Sequence, residues 1–272
     1  SLVADASYFS GDTWEPSWDR KELYDGYMSE VTALMVDGDR DNAYRNTSAR
    51  SEDPVGRAAG AFADALGGGV SVTTGTAPAG APVLGSVASQ PVSTLVQQTL
   101  IVSDNTIAEA LARVTAIEAG AGNSFGALQA GITGGLQSYG LDTSGLRIAD
   151  GSGLSGNNSV PPSYLTSLLI KIQNREGALG AVFDGLPISG ETGSLSYSDR
   201  FSGDSSRADG AVHAKTGWID DGYTLAGIIY ATDGTPLTFA IYALGDVGDS
   251  AKQAIDALTA RFWDCGNNLS NL

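Results

Sequence analysis

The sequence predicts an α/β protein of the α+β kind, with helices first, then three antiparallel strands in a meander, then a terminal helix able to pack on the sheet. Three observations carry this. From Pro91, the stretch PVSTLVQQTLIVSDNTIAEALARVTAIEAG repeats Val92, Leu95, Val96 and Thr99, then Ile107, Ala108, Leu111, Val114 and Ile117, at helical spacing. Strand-sized runs at 211–217, 222–231 and 236–244 follow one another across short breaks. A last helical stretch covers 249–263.

In chain order, residues 1–50 hold the aromatic pieces SYF, TWEPSW and LYDGY and the apolar run VTALMV, which read as short strands and loops without a helix. The opening LVADASYF reads as a strand. A helix is expected over 54–66, with Pro54 suited to the first turn and Gly67 to Gly69 just past the end. Residues 70–88 are rich in Gly, Pro, Ala and Thr and form a domain boundary. The two helices after Pro91 join at Ser103-Asp104-Asn105, where Ser or Asp can cap the second. Further helices are expected at 125–138 and 161–173. No internal repeat is evident.

Composition excludes several function classes. At 272 residues, with 42% hydrophobic and 17% charged residues, the chain can form one large domain or two modest ones. A net charge of −16 argues against a nucleic-acid partner, which needs clustered Lys and Arg, and fits a soluble, self-repelling surface. The longest apolar runs, at 225–231 and 237–244, are far too short to span a bilayer. Cys265 is the only cysteine and His213 the only histidine, so a Cys/His metal site and an internal disulfide are both excluded. No basic region followed by an apolar core opens the chain, so no signal peptide is visible, and the abrupt start looks like the inside of a longer protein.

Two catalytic patterns compete. A Ser–His–Asp hydrolase would need His213 as base, but G-x-S-x-G is absent around both Ser152 and Ser155 in DGSGLSGNN (150–158). The second pattern is K-T-G at Lys215, Thr216 and Gly217, on a strand. It supplies positive charge, a hydroxyl donor and room for a substrate lying antiparallel along the strand edge. K-T-G gains weight beside Ser103-Asp104-Asn105, because S-x-x-K, S-D-N and K-T-G together mark serine acyl transferases that use lysine as proton carrier. Ser155-Gly156-Asn157 is a rival S-x-N, but Ser103 sits at the junction of two well-patterned helices, a rigid place to present a hydroxyl and an amide. The plain reading of SDN is a helix N-cap.

SDNTIAEALAR, DGSGLSGNN, LPISGETGSLSYSDRF and HAKTGWIDDGYTLAG occur in the order seen in S13-type D-alanyl-D-alanine carboxypeptidases, the class C low-molecular-mass penicillin-binding proteins, and the chain resembles that family over essentially its whole length. The resemblance implies a penicillin-binding, serine β-lactamase-like acyl-transferase domain, an antiparallel sheet with flanking helices interrupted by inserted domains. Residues 1–85 would be the remainder of the insertions, and 86–272 the C-terminal part of the catalytic domain. Ser103 would help pass a proton to the leaving group, and Asn105 would hold the substrate amide and the catalytic lysine. Lys215, Thr216 and Gly217 would bind the terminal carboxylate. The backbone N–H of Trp218 would form half of the oxyanion hole, the nucleophile's own N–H being the other half. The family commonly has a small hydroxyl residue after K-T-G, so Trp218 is a departure that reshapes the substrate channel.

Leu154, Ser155 and Gly156, in the loop between SDN and K-T-G, would border the pocket for the substrate's side chain. The position of Gly156 is often Arg in the family. Its loss removes a bidentate carboxylate partner and implies a weaker demand for an acidic group on the peptide.

The third element is absent from this sequence. Three residues before Lys21, Lys171, Lys215 and Lys252 stand Trp18, Leu168, Val212 and Asp249, so none completes S-x-x-K. The family carries that motif before its inserted domains, which places the nucleophile on an upstream segment of the same protein. The expected reaction is carboxypeptidase or endopeptidase cleavage of peptidoglycan stem peptides through a serine ester, with β-lactams as substrate mimics, no metal or organic cofactor, and an exported protein. A noncatalytic module that binds wall peptide or β-lactam is the alternative, and a His213-based esterase a further one. Tyr8, Trp14, Trp18, Tyr24 and Tyr27 are read as core or interdomain packing ahead of a glycan platform. Cys265 is read as a structural or partner thiol.

Overall fold

The computed structural model describes residues 1–271. The chain divides into two compact units, the first made of 1–90, 104–135 and 147–158, the second of 91–103, 136–146 and the residues from 159 onward. Each crosses the sequence several times, so long-range packing rather than chain order defines them.

In the first unit β1 (Leu2–Ala4) pairs in parallel with β2 (Val72–Thr74), Leu2 opposite Val72. Only three residues of the expected LVADASYF strand are extended in a ladder. A short helix, α1 (Lys21–Asp25), stands where none was expected; at five residues it is too brief to show periodicity. It ends at Gly26, where φ is 88° and a Cβ would meet the Ser48 backbone at 2.4 Å. Around it Trp14, Trp18, Leu23, Met28 and Val31 form a buried core. Trp14 and Trp18 meet edge to face at 5.3 Å, and Trp18 meets Phe125 in the same way. The two tryptophans are therefore packing residues, whereas Tyr8, Tyr24 and Tyr27 are exposed.

Helix α2 (Pro54–Ala65) is capped by Asp53, whose Oδ1 accepts the Gly56 N–H at 2.8 Å. Helix α4 (Asn105–Glu118) packs Ala112 and Ala116 against Ala127 and Leu128. The 125–138 stretch opens with a 3₁₀ turn, Phe125–Ala127, before α5 (Leu128–Gln137).

In the second unit a three-stranded antiparallel sheet runs in the order β3 (Val212–Ile219), β4 (Gly222–Tyr230), β5 (Pro236–Leu244). Alternation sends Val212, Ala214, Leu225, Ile229 and Phe239 to one face, packed on Ile255 and Ala260 of α8 (Ser250–Cys265). Ile228 on the other face meets Leu169 and Ile172 of α6 (Pro162–Gln173) and Leu186 beyond α7 (Gly180–Gly185). Helix α3 (Val92–Val102) lies on α7, so closely that a Cβ on Gly185 would stand 2.7 Å from the Gln97 Cα.

Candidate active site

Helix α3 stops because Ser103 takes the left-handed conformation, φ 56° and ψ 50°, an uncommon state for a residue with a Cβ. The turn leaves the Ser103 hydroxyl exposed at the helix end. There Lys215, from β3, donates an Nζ hydrogen bond to Ser103 Oγ at 2.8 Å and a second to the Thr216 carbonyl at 2.8 Å. Ser103 Oγ thus accepts from an ammonium and keeps its own proton free to donate. Burial pushes the Lys215 ammonium down to about 8, and no carboxylate pairs with it among the described residues. A desolvated cation without an acidic partner is suited to an anionic ligand.

Thr216 Oγ1 shares a 2.8 Å hydrogen bond with Ser194 Oγ. Ser194 rides on the 3₁₀ turn Gly193–Leu195. Gly193 has φ 57°, and a Cβ on it would lie 2.6 Å from the Ile101 carbonyl of α3, so this turn is seated against the helix that ends at Ser103. Within one unit, α3, β3 and the 193–195 turn therefore bring together Ser103, Lys215, Thr216 and Ser194.

β3 is the edge strand of its sheet. The Ala214 N–H donates outward to the Pro187 carbonyl, and the Val212 carbonyl accepts outward from the Ser189 N–H, both at 2.9 Å. Backbone groups alternate sides along a strand, so the Thr216 carbonyl and the Trp218 N–H point to that same edge. Gly217 faces Thr224 on β4, whose Oγ1 would lie 2.3 Å from a Cβ there. The glycine thus also serves the sheet itself.

The other expected site residues belong to the first unit. Asp104 is buried and caps α4, its Oδ1 accepting the Ile107 N–H at 3.0 Å while Oδ2 pairs with Arg40. The N-cap reading of SDN therefore holds for its Asp, and Asn105 opens α4.

In the DGSGLSGNN loop, Asp150 is buried and its carboxylate accepts from Gly153 N–H, Ser155 N–H, Asn158 Nδ2 and Trp18 Nε1 at 2.6–2.8 Å. The Ser155 hydroxyl is buried too. It bonds Ser17 Oγ at 2.6 Å and accepts the Asn157 N–H. Leu154 packs on the tryptophan core, and Gly156 is exposed with open space around it.

Sequence reasoning did not single out Glu109, Arg113 or Ser194. The fully buried Glu109 accepts the Gly151 and Ser152 N–H groups on Oε1, both at 2.8 Å. Its Oε2 has no hydrogen-bond partner among the described residues. Burial, reinforced by Asp150, pushes its carboxyl up to about 7. One turn on, Arg113 donates to the carbonyls of Ser10, Asp12 and Asn123 and lies 4.0 Å from the Phe125 ring. The sequence carried no signal for them: Glu109 and Arg113 stand on the side of α4 opposite Ile107, Leu111 and Val114, and it is that side, with Ala112 and Ala116, that is buried.

His213, the base of the alternative triad, is half-buried, stacked on Phe183 at 5.4 Å with Tyr230 edge-on at 5.6 Å. Burial lowers its pKa, and no serine or carboxylate bonds its ring among the described residues. It is a packing residue.

An antiparallel sheet with flanking helices is the architecture of the penicillin-binding fold, and on it Lys215 of K-T-G meets Ser103. Penicillin-binding protein 4 of Haemophilus influenzae superposes with a TM-score of 0.81 over 97% of this chain and 74% of its own, at 22% identity. Residues 39–264 match the D-Ala-D-Ala carboxypeptidase 3 (S13) family, and the chain belongs to it. Among its relatives, the carboxypeptidase Rv3627c of Mycobacterium tuberculosis is 33% identical over 98% of this chain, and the carboxypeptidase DacB of Mycolicibacterium smegmatis 35% identical over 96%. The chain spans 58% and 57% of those two proteins. A second Haemophilus influenzae penicillin-binding protein 4 structure, complexed with a β-lactam, matches at 26% identity with a TM-score of 0.69, covering 80% of this chain and 52% of its own.

Proposed function

We propose that the chain is the K-T-G-bearing part of a D-alanyl-D-alanine carboxypeptidase or endopeptidase of peptidoglycan stem peptides. The observation that carries this is the Lys215–Ser103–Thr216 constellation on an open strand edge. Residues 1–85 are assigned to the inserted domains and 86–272 to the catalytic domain. The serine nucleophile is assigned to S-x-x-K on an upstream segment, and the protein to the outside of the cytoplasmic membrane, where its substrate lies. β-lactams are taken as substrate mimics, as they bind the penicillin-binding protein 4 relative.

In this reading the substrate's terminal carboxylate meets Lys215 and the Thr216 hydroxyl. The Trp218 N–H, on the strand edge, receives the carbonyl oxygen as negative charge builds on it. Asn105 holds the substrate amide. The upstream serine forms an ester with the penultimate D-alanine as the C–N bond breaks. Ser103, accepting from Lys215, passes its proton to the departing amine and recovers one from the attacking serine. Water then hydrolyses the ester.

The test uses the protein with its upstream segment, following D-alanine release from a pentapeptide. Ser103→Ala and Lys215→Ala should each lower release by about 10²–10⁴-fold, the usual worth of a positioned proton carrier. Release unchanged in both variants would overturn the assignment. A wild-type protein that binds pentapeptide without releasing D-alanine would favour the noncatalytic module.

A further inference from the structure

Trp218 is the one large side chain of β3 left in solvent. It is 64% exposed, while Val212 and Ala214 on the same face are fully buried. It is nevertheless held. Its ring lies 6.1 Å from that of Tyr223, its cross-strand partner, at an interplanar angle of 11°. The Tyr223 hydroxyl donates to Asp249 at 2.9 Å. The Lys252 ammonium stands 5.2 Å from the Tyr223 ring and 5.6 Å from Trp218, and pairs with Asp249 at 3.3 Å. An exposed indole costs hydration, and one already ordered loses little freedom when a ligand covers it, which are the properties of a binding platform.

Direction along the strand says which part of a ligand would arrive there. A substrate antiparallel to β3 with its carboxylate at Lys215 and Thr216 runs towards its own N-terminus as strand numbers rise. Strands rise about 3.4 Å per residue, so Trp218 lies about 7 Å beyond Thr216 on the same face. That is the reach of the group preceding the penultimate residue, or of the acyl side chain of a β-lactam.

We infer that Trp218 is a specificity-determining residue whose exposed ring stacks on the acyl side of the substrate, favouring donors that carry a flat aromatic or hydrocarbon group there. The inference rests on the acyl-transfer reading above. Stacking on a held indole adds to transition-state binding only if the group is present, so it shows as a ratio between two donors rather than as a general rate.

The experiment measures second-order acylation rates of the protein with its upstream segment, using benzylpenicillin, which carries a phenylacetyl group, and 6-aminopenicillanic acid, which carries none. Trp218→Ala should lower the benzylpenicillin to 6-aminopenicillanic acid ratio by about fivefold to tenfold, whatever it does to the two rates together, and Trp218→Phe should recover most of the ratio. A ratio within twofold of wild type in Trp218→Ala, with both compounds still acylating, overturns the inference alone. Wild-type protein that neither compound acylates overturns the acyl-transfer reading and the inference with it.

Discussion

Glu109 gives the sharpest quantitative handle on how the DGSGLSGNN loop is held. Its carboxylate is fully buried, binds two backbone N–H groups of that loop through Oε1, and leaves Oε2 unpartnered among the described residues. Folding raises its pKa from 4.5 to about 7. The folded state therefore binds the proton more tightly than the unfolded chain. Stability from this group is fully present below pH 4.5, is lost as pH rises through 7, and is flat above. At about 1.36 kcal/mol per pH unit, that loss has an upper bound of about 3.4 kcal/mol.

Glu109→Gln keeps an oxygen for Gly151 and Ser152 but removes the titration. Its amide nitrogen, in the place of Oε2, finds no acceptor and costs about 1–3 kcal/mol at every pH. The informative quantity is therefore the slope. Urea unfolding read by tryptophan fluorescence at pH 4.5, 5.5, 6.5 and 7.5 should show wild type losing up to about 3 kcal/mol relative to Glu109→Gln across the series. Parallel curves would refute the reasoning, because they would mean the buried carboxyl titrates as it does in the unfolded chain.

Asp104→Ala should cost about 3–5 kcal/mol in the same unfolding assay, since it leaves the largely buried Arg40 guanidinium with only the Asp37 and Asn46 carbonyls in place of its carboxylate and uncaps α4; Asp104→Asn, which can still cap, should recover about 1 kcal/mol of this. Gly227→Ala should destabilise by about 1–3 kcal/mol or more, because the new Cβ would lie 2.3 Å from the His213 carbonyl and 2.4 Å from the Ala214 Cβ, prising β4 from the K-T-G strand. A melting temperature equal to wild type in either variant would contradict the packing described.

Much of the second unit was legible in the sequence because its signals are local. The strand expected over 222–231 is Gly222–Tyr230, the helix expected over 161–173 is Pro162–Gln173, and the SDN junction falls between α3 and α4. K-T-G and Ser103 could be paired in advance only because each is a short motif. What sequence could not give is how distant segments close on one another. Nothing near Ser194 marks it as the partner of Thr216; only the fold of the 193–195 turn against α3 does. Glu109 and Arg113 looked like ordinary charges on a helix, and their burial depends on the loop at 150–158 and on carbonyls a hundred residues away. The aromatic cluster near the N-terminus splits into buried tryptophans and exposed tyrosines for the same reason, since burial is decided by what packs on top.

The most direct test of the Lys215–Ser103 pairing is the titration of Lys215 itself. The sequence has only four lysines, so the ¹³Cε resonances can be followed individually by NMR and assigned with Lys215→Arg. A Lys215 midpoint at about pH 8 is expected, well below the 10.5 of an ordinary lysine, because the ammonium is desolvated where it meets Ser103 Oγ. A Lys215 midpoint near 10.5 would contradict a desolvated lysine at that site, and with it the proton relay proposed for Ser103.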